Sequence, residues 1–256
     1  MGVIGNIIYW PISKKEKVEK YQLKIRDYEW KSISKYLFNK TNFLDIGCGA
    51  GYAMMRAQNE LFCSVYGIDP NPGDHGVGRY IKQLVEKVEI KKGMAENLPY
   101  ENNSFSNIYS SHVLEHVNDE KRTLAEINRV LKMDGIAVIG MPTSTMAILN
   151  LISQILFTTH IKVYEFVRSL FKPNFHRNFI KIFSINSHSY PRARSIWYDI
   201  YHYRISKWKK LIETELIIQE TIKPVFYPYP DYPQFFKLHK NLFFSSSVFF
   251  ICKKKN

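Results

Sequence analysis

Asp45, Gly47, Gly49, Gly51 and Asp69 are the residues of this 256-residue chain whose types and spacing could do chemistry together. They lie in "DIGCGAG" and, 18 residues after Gly51, in "YGIDPN". A glycine-rich turn after a strand lets backbone approach a ligand closely and aims the next helix's free N–H groups at it. The spacing is GxGxG, whereas dinucleotide sites use GxGxxG to hold a pyrophosphate. The acid at Asp45 would repel a pyrophosphate but suits a cationic amine. A carboxylate ending the second strand, as Asp69 does, can accept two hydrogen bonds from ribose hydroxyls. The implied ligand is a nucleoside that carries a positive charge and no phosphate.

A second group, "HVLEH", sets His112, Glu115 and His116 at i, i+3 and i+4. On a helix these would share a face, and two imidazoles with a carboxylate could ligate a metal. Read alone, the run is the inverted zinc-protease motif, which needs a long helix and a further ligand. Here it follows a strand and falls in a short turn, so no protease is expected; no metal is assigned, and His112, Glu115 and His116 stay open as the candidate ligands. Leu114 is expected to pack and Glu115 to bond locally. His116 is the candidate general base, because imidazole titrates near neutrality.

These residues need a scaffold, and the chain alternates strand-like and helix-like runs. Residues 14–38 read as an amphipathic helix with many charges on its outer face. "NFLDIG", "CSVYGID", "VEIKKG", "SNIYSSH" and "IAVIGMP" read as five strands. "YAMMRAQNEL", "GRYIKQLVEKV" and "DEKRTLAEINRVLK" read as the helices between them, the last with Leu124, Ile127, Val130 and Leu131 on one stripe. That rhythm predicts an α/β fold with a sheet covered on both faces. After Pro142 it breaks. Residues 143–203 read as one long apolar helix followed by an irregular basic and aromatic stretch, longer than an ordinary connection. "SKWKKLIETE", "LIIQETIKP" and "FSSSVFFICK" then supply a helix and two strands. The expected segments are an N-terminal helical piece (1–40), a ligand-binding core (41–141), an acceptor-covering insertion (142–205), and a C-terminal piece (206–256) that completes the sheet.

"AENLPYENNSFSNIYSSHVLEHVNDEKRTLAEINRVLKMDGIAVI", together with the glycine turn and Asp69, resembles the class I S-adenosylmethionine-dependent methyltransferases. Within that class it is similar to the type 11 subgroup that includes the quinone-pathway enzymes. The resemblance covers about residues 40–141. It implies a Rossmann-like, seven-stranded sheet with an antiparallel last strand, S-adenosylmethionine as cofactor and S-adenosylhomocysteine as product. It also implies that Asp45, Gly47 and Gly49 border the methionine moiety, with Cys48 between the glycines, and that Asp69 holds the ribose. Pro70 and Asn71 would flank the nucleoside, Met94 and Ala95 would touch adenine, and Ser111 would lie beneath the ligand. Many relatives carry an acid where Met94 stands, and Glu96 is the substitute two positions on. His112 replaces the first Glu of the Glu-x-x-Glu-His segment of ubiquinone-pathway O-methyltransferases, where a divalent metal assists the acceptor.

The formal charge of +13 is uneven. Residues 1–141 hold 19 basic and 17 acidic residues, net +2; residues 142–256 hold 17 and 6, net +11. Residues 135–161 carry no formal charge, whereas Lys162 to Lys210 carry 11 basic and 2 acidic residues among Phe, Tyr and Trp. Such a surface expects an anionic partner, a membrane face or RNA. Asn150, Gln154, Thr158, Thr159 and His160 weigh against a bilayer span. The stretches "PTST", "SHSYPRA" and "YHYRISKWKKLI" resemble methyltransferases of bacterial surface-glycan synthesis, which implies a sugar or lipid-linked glycan acceptor. An RNA, quinone or other small-molecule acceptor, or a non-catalytic cofactor-binding subunit, stay open. Three scattered cysteines fit a reducing, cytoplasmic setting. The N-terminus is apolar first and basic second, the reverse of a secretory signal, and is expected to pack on the body.

Overall fold

A computed structural model describes residues 15–76, 78–84, 88–169, 195–227 and 244–255. The expectations placed on 1–14 and on the dense basic stretch of 170–194 lie outside these residues. The helices are α1 (Lys15–Ile33), α2 (Tyr52–Leu61), α3 (Glu120–Val130), α4 (Ser144–Ser169), α5 (Ile196–His202) and α6 (Ile205–Ile212). The strands are β1 (Asn42–Ile46), β2 (Ser64–Asp69), β3 (Val88–Lys92), β4 (Phe105–Ser111), β5 (Leu131–Pro142), β6 (Leu216–Ile222) and β7 (Ser247–Lys254). They form one seven-stranded sheet in the order β3-β2-β1-β4-β5-β7-β6, with β7 antiparallel to both neighbours. The order reverses direction between β1 and β4, the switch point at which ligands of doubly wound sheets bind.

Strand alternation splits the core into two layers. Phe43, Val65, Tyr109, Val138, Phe249 and Ile251 face α1 and α2, where Trp30, Ile33, Met54 and Ala57 meet them. Leu44, Ile46, Ile108, Ala137, Ile139 and Phe250 face the side of α3 and α6, against Leu124, Ile127, Trp208 and Ile212. The central strands are apolar on both faces, as a doubly covered sheet demands. Helix α1 is clamped to α2 from outside the core. Arg56 reaches Asp27 at 2.6 Å and Glu60 at 2.5 Å, and the Trp30 indole donates to Glu60 at 2.7 Å.

Two local expectations are corrected, and one buried charge was not foreseen. The helix expected over "GRYIKQLVEKV" is, among the described residues, one 3₁₀ turn at Tyr80–Gln83. Its Tyr80 and Ile81 amides donate to the Ala50 carbonyl, and Gly76 and Gly78 hold left-handed backbone, so loop anchoring overrides the helical spacing. Helix α3 stops at Val130, and Leu131, expected on its stripe, opens β5 by pairing with Phe105. Pairing resumes only at Asn107 with Ile136, so the exposed Met133 and Asp134 bulge outward. The charges of α1 do not all point out: Glu29 is fully buried. It takes the next inward position after Tyr21 and Ile25, where an apolar residue was expected.

Candidate functional site

Strand β1 delivers Asp45 to the C-terminal edge of the sheet, and the glycine turn follows it. Gly47, Gly49 and Gly51 all have positive φ, at 73°, 46° and 83°. Side chains rarely adopt that backbone, and there is no room for one. A Cβ at Gly47 would lie 2.4 Å from Val113 Cγ2, and one at Gly49 would lie 2.6 Å from the His75 carbonyl oxygen. The Gly47 and Cys48 amides donate to the Ile68 carbonyl at 2.8 and 3.2 Å, so the turn leans on the end of β2.

At that end, each oxygen of the buried Asp69 carboxylate accepts a backbone amide, from Gly49 at 3.0 Å and from Asn71 at 2.7 Å. Asp69 therefore ties the glycine turn to the loop after β2. That loop lies against the turn, with the Gly73 amide donating to Gly49 O at 2.9 Å. A carboxylate offers about four lone-pair positions, so two remain for ligand hydroxyls. Pro70 and Asn71 are exposed on this loop. Cys48 is buried and packs toward Gly67, and burial first, then Asp45 and Asp69, pushes its thiol up.

Asp45 is different. It is 3 % exposed, and among the described residues no donor sits on its carboxylate. Burial, then repulsion from Asp69, raises its pKa well above the usual range, and Arg26 only partly opposes them. A buried acid in this state wants a cation.

The nearest source of positive charge was missed in the sequence. Arg26 of α1 meets Glu29 at 2.8 Å and donates to Ser111 Oγ at 3.3 Å, at the end of β4. Glu29 in turn accepts from the Ser247 hydroxyl at 2.6 Å, at the start of β7. Burial disfavours the guanidinium charge, but Glu29, Tyr109 and Tyr227 outweigh it and hold Arg26 firmly protonated. Its side chain stays about one-third exposed (32%). Ser111, expected beneath the ligand, is thus joined to α1. The detectable signal was Glu29 itself, a carboxylate inside an apolar stripe.

On the far side, Gly93 donates to the Asp69 carbonyl at 3.0 Å, and next to it Met94 is exposed while Ala95 is buried. Glu96 faces elsewhere. One oxygen accepts the Asn118 amide at 2.7 Å, and the other is buried without a partner.

The "HVLEH" run is a turn, held by the His116 amide on the Val113 carbonyl at 2.8 Å. His112 adopts left-handed backbone, φ 57°, and still pairs with Gly140 at 2.9 Å. The turn brings its three polar residues together without a helix. Glu115 Oε1 lies 3.3 Å from His112 Nδ1 and 3.9 Å from His116 Nε2. Leu114 and Glu115 are buried, and the His116 side chain is 36% exposed. Among the described residues no group of three or more His, Cys, Asp or Glu is arranged to hold a metal ion.

Glu115 also opens onto a cleft of about 170 Å³ that runs between this turn and helices α5 and α6. Glu120, Tyr198, His202, Tyr203, Lys207, Trp208 and Leu211 complete its lining. Its walls are stacked rings: Tyr198 on His202 at 3.6 Å and Tyr203 on Trp208 at 5.6 Å between centroids. Trp208 is fixed by its indole on the Pro142 carbonyl at 2.9 Å.

The buried Asp45 beside Arg26, which among the described residues has no donor, and the Asp69 carboxylate beyond the glycine turn could take the amino-acid and ribose ends of S-adenosylmethionine. Comparison with known proteins bears on the family and the fold. Residues 44–139 match the family described as methyltransferase domain, type 11. The ubiquinone/menaquinone biosynthesis C-methyltransferase of Campylobacter jejuni is 33% identical over 115 residues, 42% of this chain and 47% of that protein. The glycine/sarcosine/dimethylglycine N-methyltransferase of Actinopolyspora halophila is 30% identical over 142 residues, 54% of this chain and 24% of its own length. The chain therefore spans less than half of these relatives. Among solved structures, a candidate methyltransferase in complex with the Haloferax volcanii Trm112 methyltransferase activator aligns with TM-score 0.56 at 12% identity, covering 95% of this chain and all (100%) of that one. A candidate S-adenosylmethionine-dependent methyltransferase from Listeria monocytogenes aligns with TM-score 0.54 at 15% identity, covering 90% and 98%. These two likenesses show the fold.

Proposed function

Because residues 44–139 belong to the type 11 methyltransferase domain family of the class I S-adenosylmethionine-dependent fold, we propose that the whole chain binds S-adenosylmethionine and methylates an acceptor held in the cleft beside Glu115. The observation that carries this reading is the buried Asp45 carboxylate, on which no donor sits among the described residues. When bound, the cofactor supplies an electrophilic methyl group on a sulfonium. Asp45 then answers the ligand's ammonium, and the remaining N–H groups of Arg26 answer its carboxylate. Asp69 takes the ribose hydroxyls with its remaining lone pairs. Met94 and Ala95 border the base, and Gly47 and Gly49 let backbone come close to the methionine chain. The α1 anchor through Glu29 and Ser247 keeps Arg26 from swinging away.

Displacement at a methyl carbon asks mainly for alignment in a dry site. A base is needed only if the acceptor must lose a proton. His116, about one-third exposed (36%) on the same turn and 3.9 Å from the cleft-lining Glu115, takes that proton, and Glu115 steadies the resulting charge. For the acceptor, aromatic faces alternating with Glu120, His202 and Lys207 support a sugar, presented free or on a lipid. The quinone-pathway relative favours a second reading, a planar ring acceptor stacked on Tyr203 and Trp208.

Calorimetry with S-adenosylhomocysteine tests the core of the proposal. Wild type is expected to bind in the micromolar range or tighter. Asp45→Asn is expected to lose roughly 2–3 kcal/mol, the worth of a hydrogen bond to a charged group. Equal affinity for the two proteins would remove the counter-charge role. Binding with no homocysteine product from any sugar, quinone or RNA acceptor would instead make the chain a binding subunit.

A further inference from the structure

Helix α4 is built inside out. Its inward face carries polar residues: Asn150, Ser153 and Gln154 are 4%, 5% and 3% exposed, beside Met146, Ala147, Phe157 and Ile161. Gln154 donates to Asn150 at 3.1 Å, so this polar face is satisfied within the protein. The outward face carries Ile148, Ile152, Ile155, Leu156, Val163 and Val167, each between 42% and 60% exposed. These recur at i, i+4, i+7, i+8, i+15 and i+19, one stripe along a 26-residue helix. Exposed Thr159 and His160 interrupt the stripe, but a water-facing helix shows the opposite arrangement, and an outward face this rich in aliphatic residues marks a surface that meets an apolar phase.

The neighbours of the stripe say which phase. Helix α5 packs beside α4, with the Ser144 hydroxyl on the Ile200 carbonyl at 2.7 Å. Its own outward residues are Trp197 and Tyr201, 66% and 45% exposed, one turn apart. Arg204 and Lys207 sit over the Tyr201 ring at 4.7 and 4.5 Å. No acidic residue occurs between Gly135 and Tyr164 or between Tyr201 and Ile212. Aliphatic stripe, exposed Trp and Tyr, and cations without acids are the composition of a segment lying in a lipid headgroup layer. The stretch Ser144–Tyr164 has the length and hydropathy of a membrane span. Yet its polar face is buried on the protein body and its N-terminus is pinned by the Ser144 amide on the Tyr203 carbonyl at 3.0 Å. That geometry fits a helix lying flat on a bilayer.

We propose that the outward face of α4, with Trp197, Tyr201, Arg204 and Lys207 of α5 and α6, docks the protein on an anionic lipid surface. This does not depend on the methyl-transfer reading: it uses no cofactor group, and of its residues Lys207 alone also lines the cleft. The test is flotation of the full chain with phosphatidylcholine vesicles, with and without phosphatidylglycerol. Binding is expected on the anionic vesicles, weakening steeply with salt, and little on the neutral ones. Ile155→Asp/Leu156→Asp is expected to cut anionic binding at least tenfold, and Arg204→Glu, outside the cleft, to reduce the preference for phosphatidylglycerol. These residues lie on the surface, so unchanged melting temperature and S-adenosylhomocysteine affinity will show an intact fold. Unchanged flotation of the Asp pair would overturn the proposal. So would a vesicle-indifferent dimer that the Asp pair splits, which would make the stripe a contact between copies, or RNA displacing the protein from vesicles at equal phosphate concentration.

Discussion

The two ends of this molecule's active face are made by opposite rules. Around the glycine turn, backbone does most of the shaping: Asp69 holds two loop amides, and three glycines sit where side chains cannot. Around the cleft at α5 and α6 the groups are side chains on side chains, rings stacked on rings and cations over rings. The first region has net charge +2 over residues 1–141, and the second +11 over 142–256. Backbone-built sites tolerate little substitution and serve one ligand. Side-chain-built sites can be retuned without disturbing the sheet, which suits a region that chooses the acceptor.

That contrast can be broken by mutation. The largest effect is expected from Asp69→Ala. It removes the proposed ribose acceptor and frees the Gly49 and Asn71 amides, so cofactor affinity is expected to fall by about 2–4 kcal/mol and stability by about 1–3 kcal/mol. Calorimetry and chemical denaturation read the two losses. In the cleft, Lys207→Ala is expected to raise the acceptor KM while leaving both quantities unmoved. Matching losses from the two variants would erase the distinction. Next, His116→Gln is expected to lower kcat by about 100-fold with cofactor affinity intact, if the acceptor gives up a proton. A flat kcat would return His116 to a structural role.

Asp45 sharpens the comparison through pH. Its raised pKa means that the folded state keeps a proton the unfolded chain has already lost. Stability therefore falls as pH climbs from the ordinary carboxylate range to the raised value and levels off above it, with a slope of at most about 1.4 kcal/mol per pH unit. Asp45→Asn is expected to flatten that slope and to raise the melting temperature of the unliganded protein at neutral pH while weakening the ligand. A steeper slope in the variant would contradict the assignment. The smallest effects are expected at two helix caps. Asp119→Ala, which frees the Arg122 amide at the start of α3, is expected to cost about 1 kcal/mol of global stability. Ser195→Ala, which frees the Tyr198 amide at the start of α5, is expected to show as local amide exchange around the cleft and little in a melting curve.

What could be read in advance follows the same division. The glycine turn, Asp45 and helix α2 were legible because each rests on a local signal, such as positive-φ residues or an apolar stripe between Tyr52 and Leu61. The antiparallel β7 between β5 and β6 came from family resemblance, since nothing local distinguishes it. The helix expected after Gly78 failed because Ile81 is claimed by Ala50, 31 residues earlier, a contact no window of sequence contains. Arg26 and Glu29 were hidden for a related reason. Charges three apart on a lysine-rich helix look solvated until Ser111 and Ser247 arrive from other strands.

The Glu29–Ser247 link spans 218 residues. It stands at the edge where β5 pairs with β7, itself joining Pro142 to Ser247. Closing so large a loop costs entropy that the contact must repay, and the link cannot form before β7 is in place. The arginine beside Asp45 is therefore expected to be fastened only when the final strand seats. Until then β5 has an open edge and Asp45 has no steady cation nearby. In kinetic terms the ligand end of the sheet is finished last, so a cofactor present during refolding is expected to accelerate none of the early steps and to trap only the completed sheet.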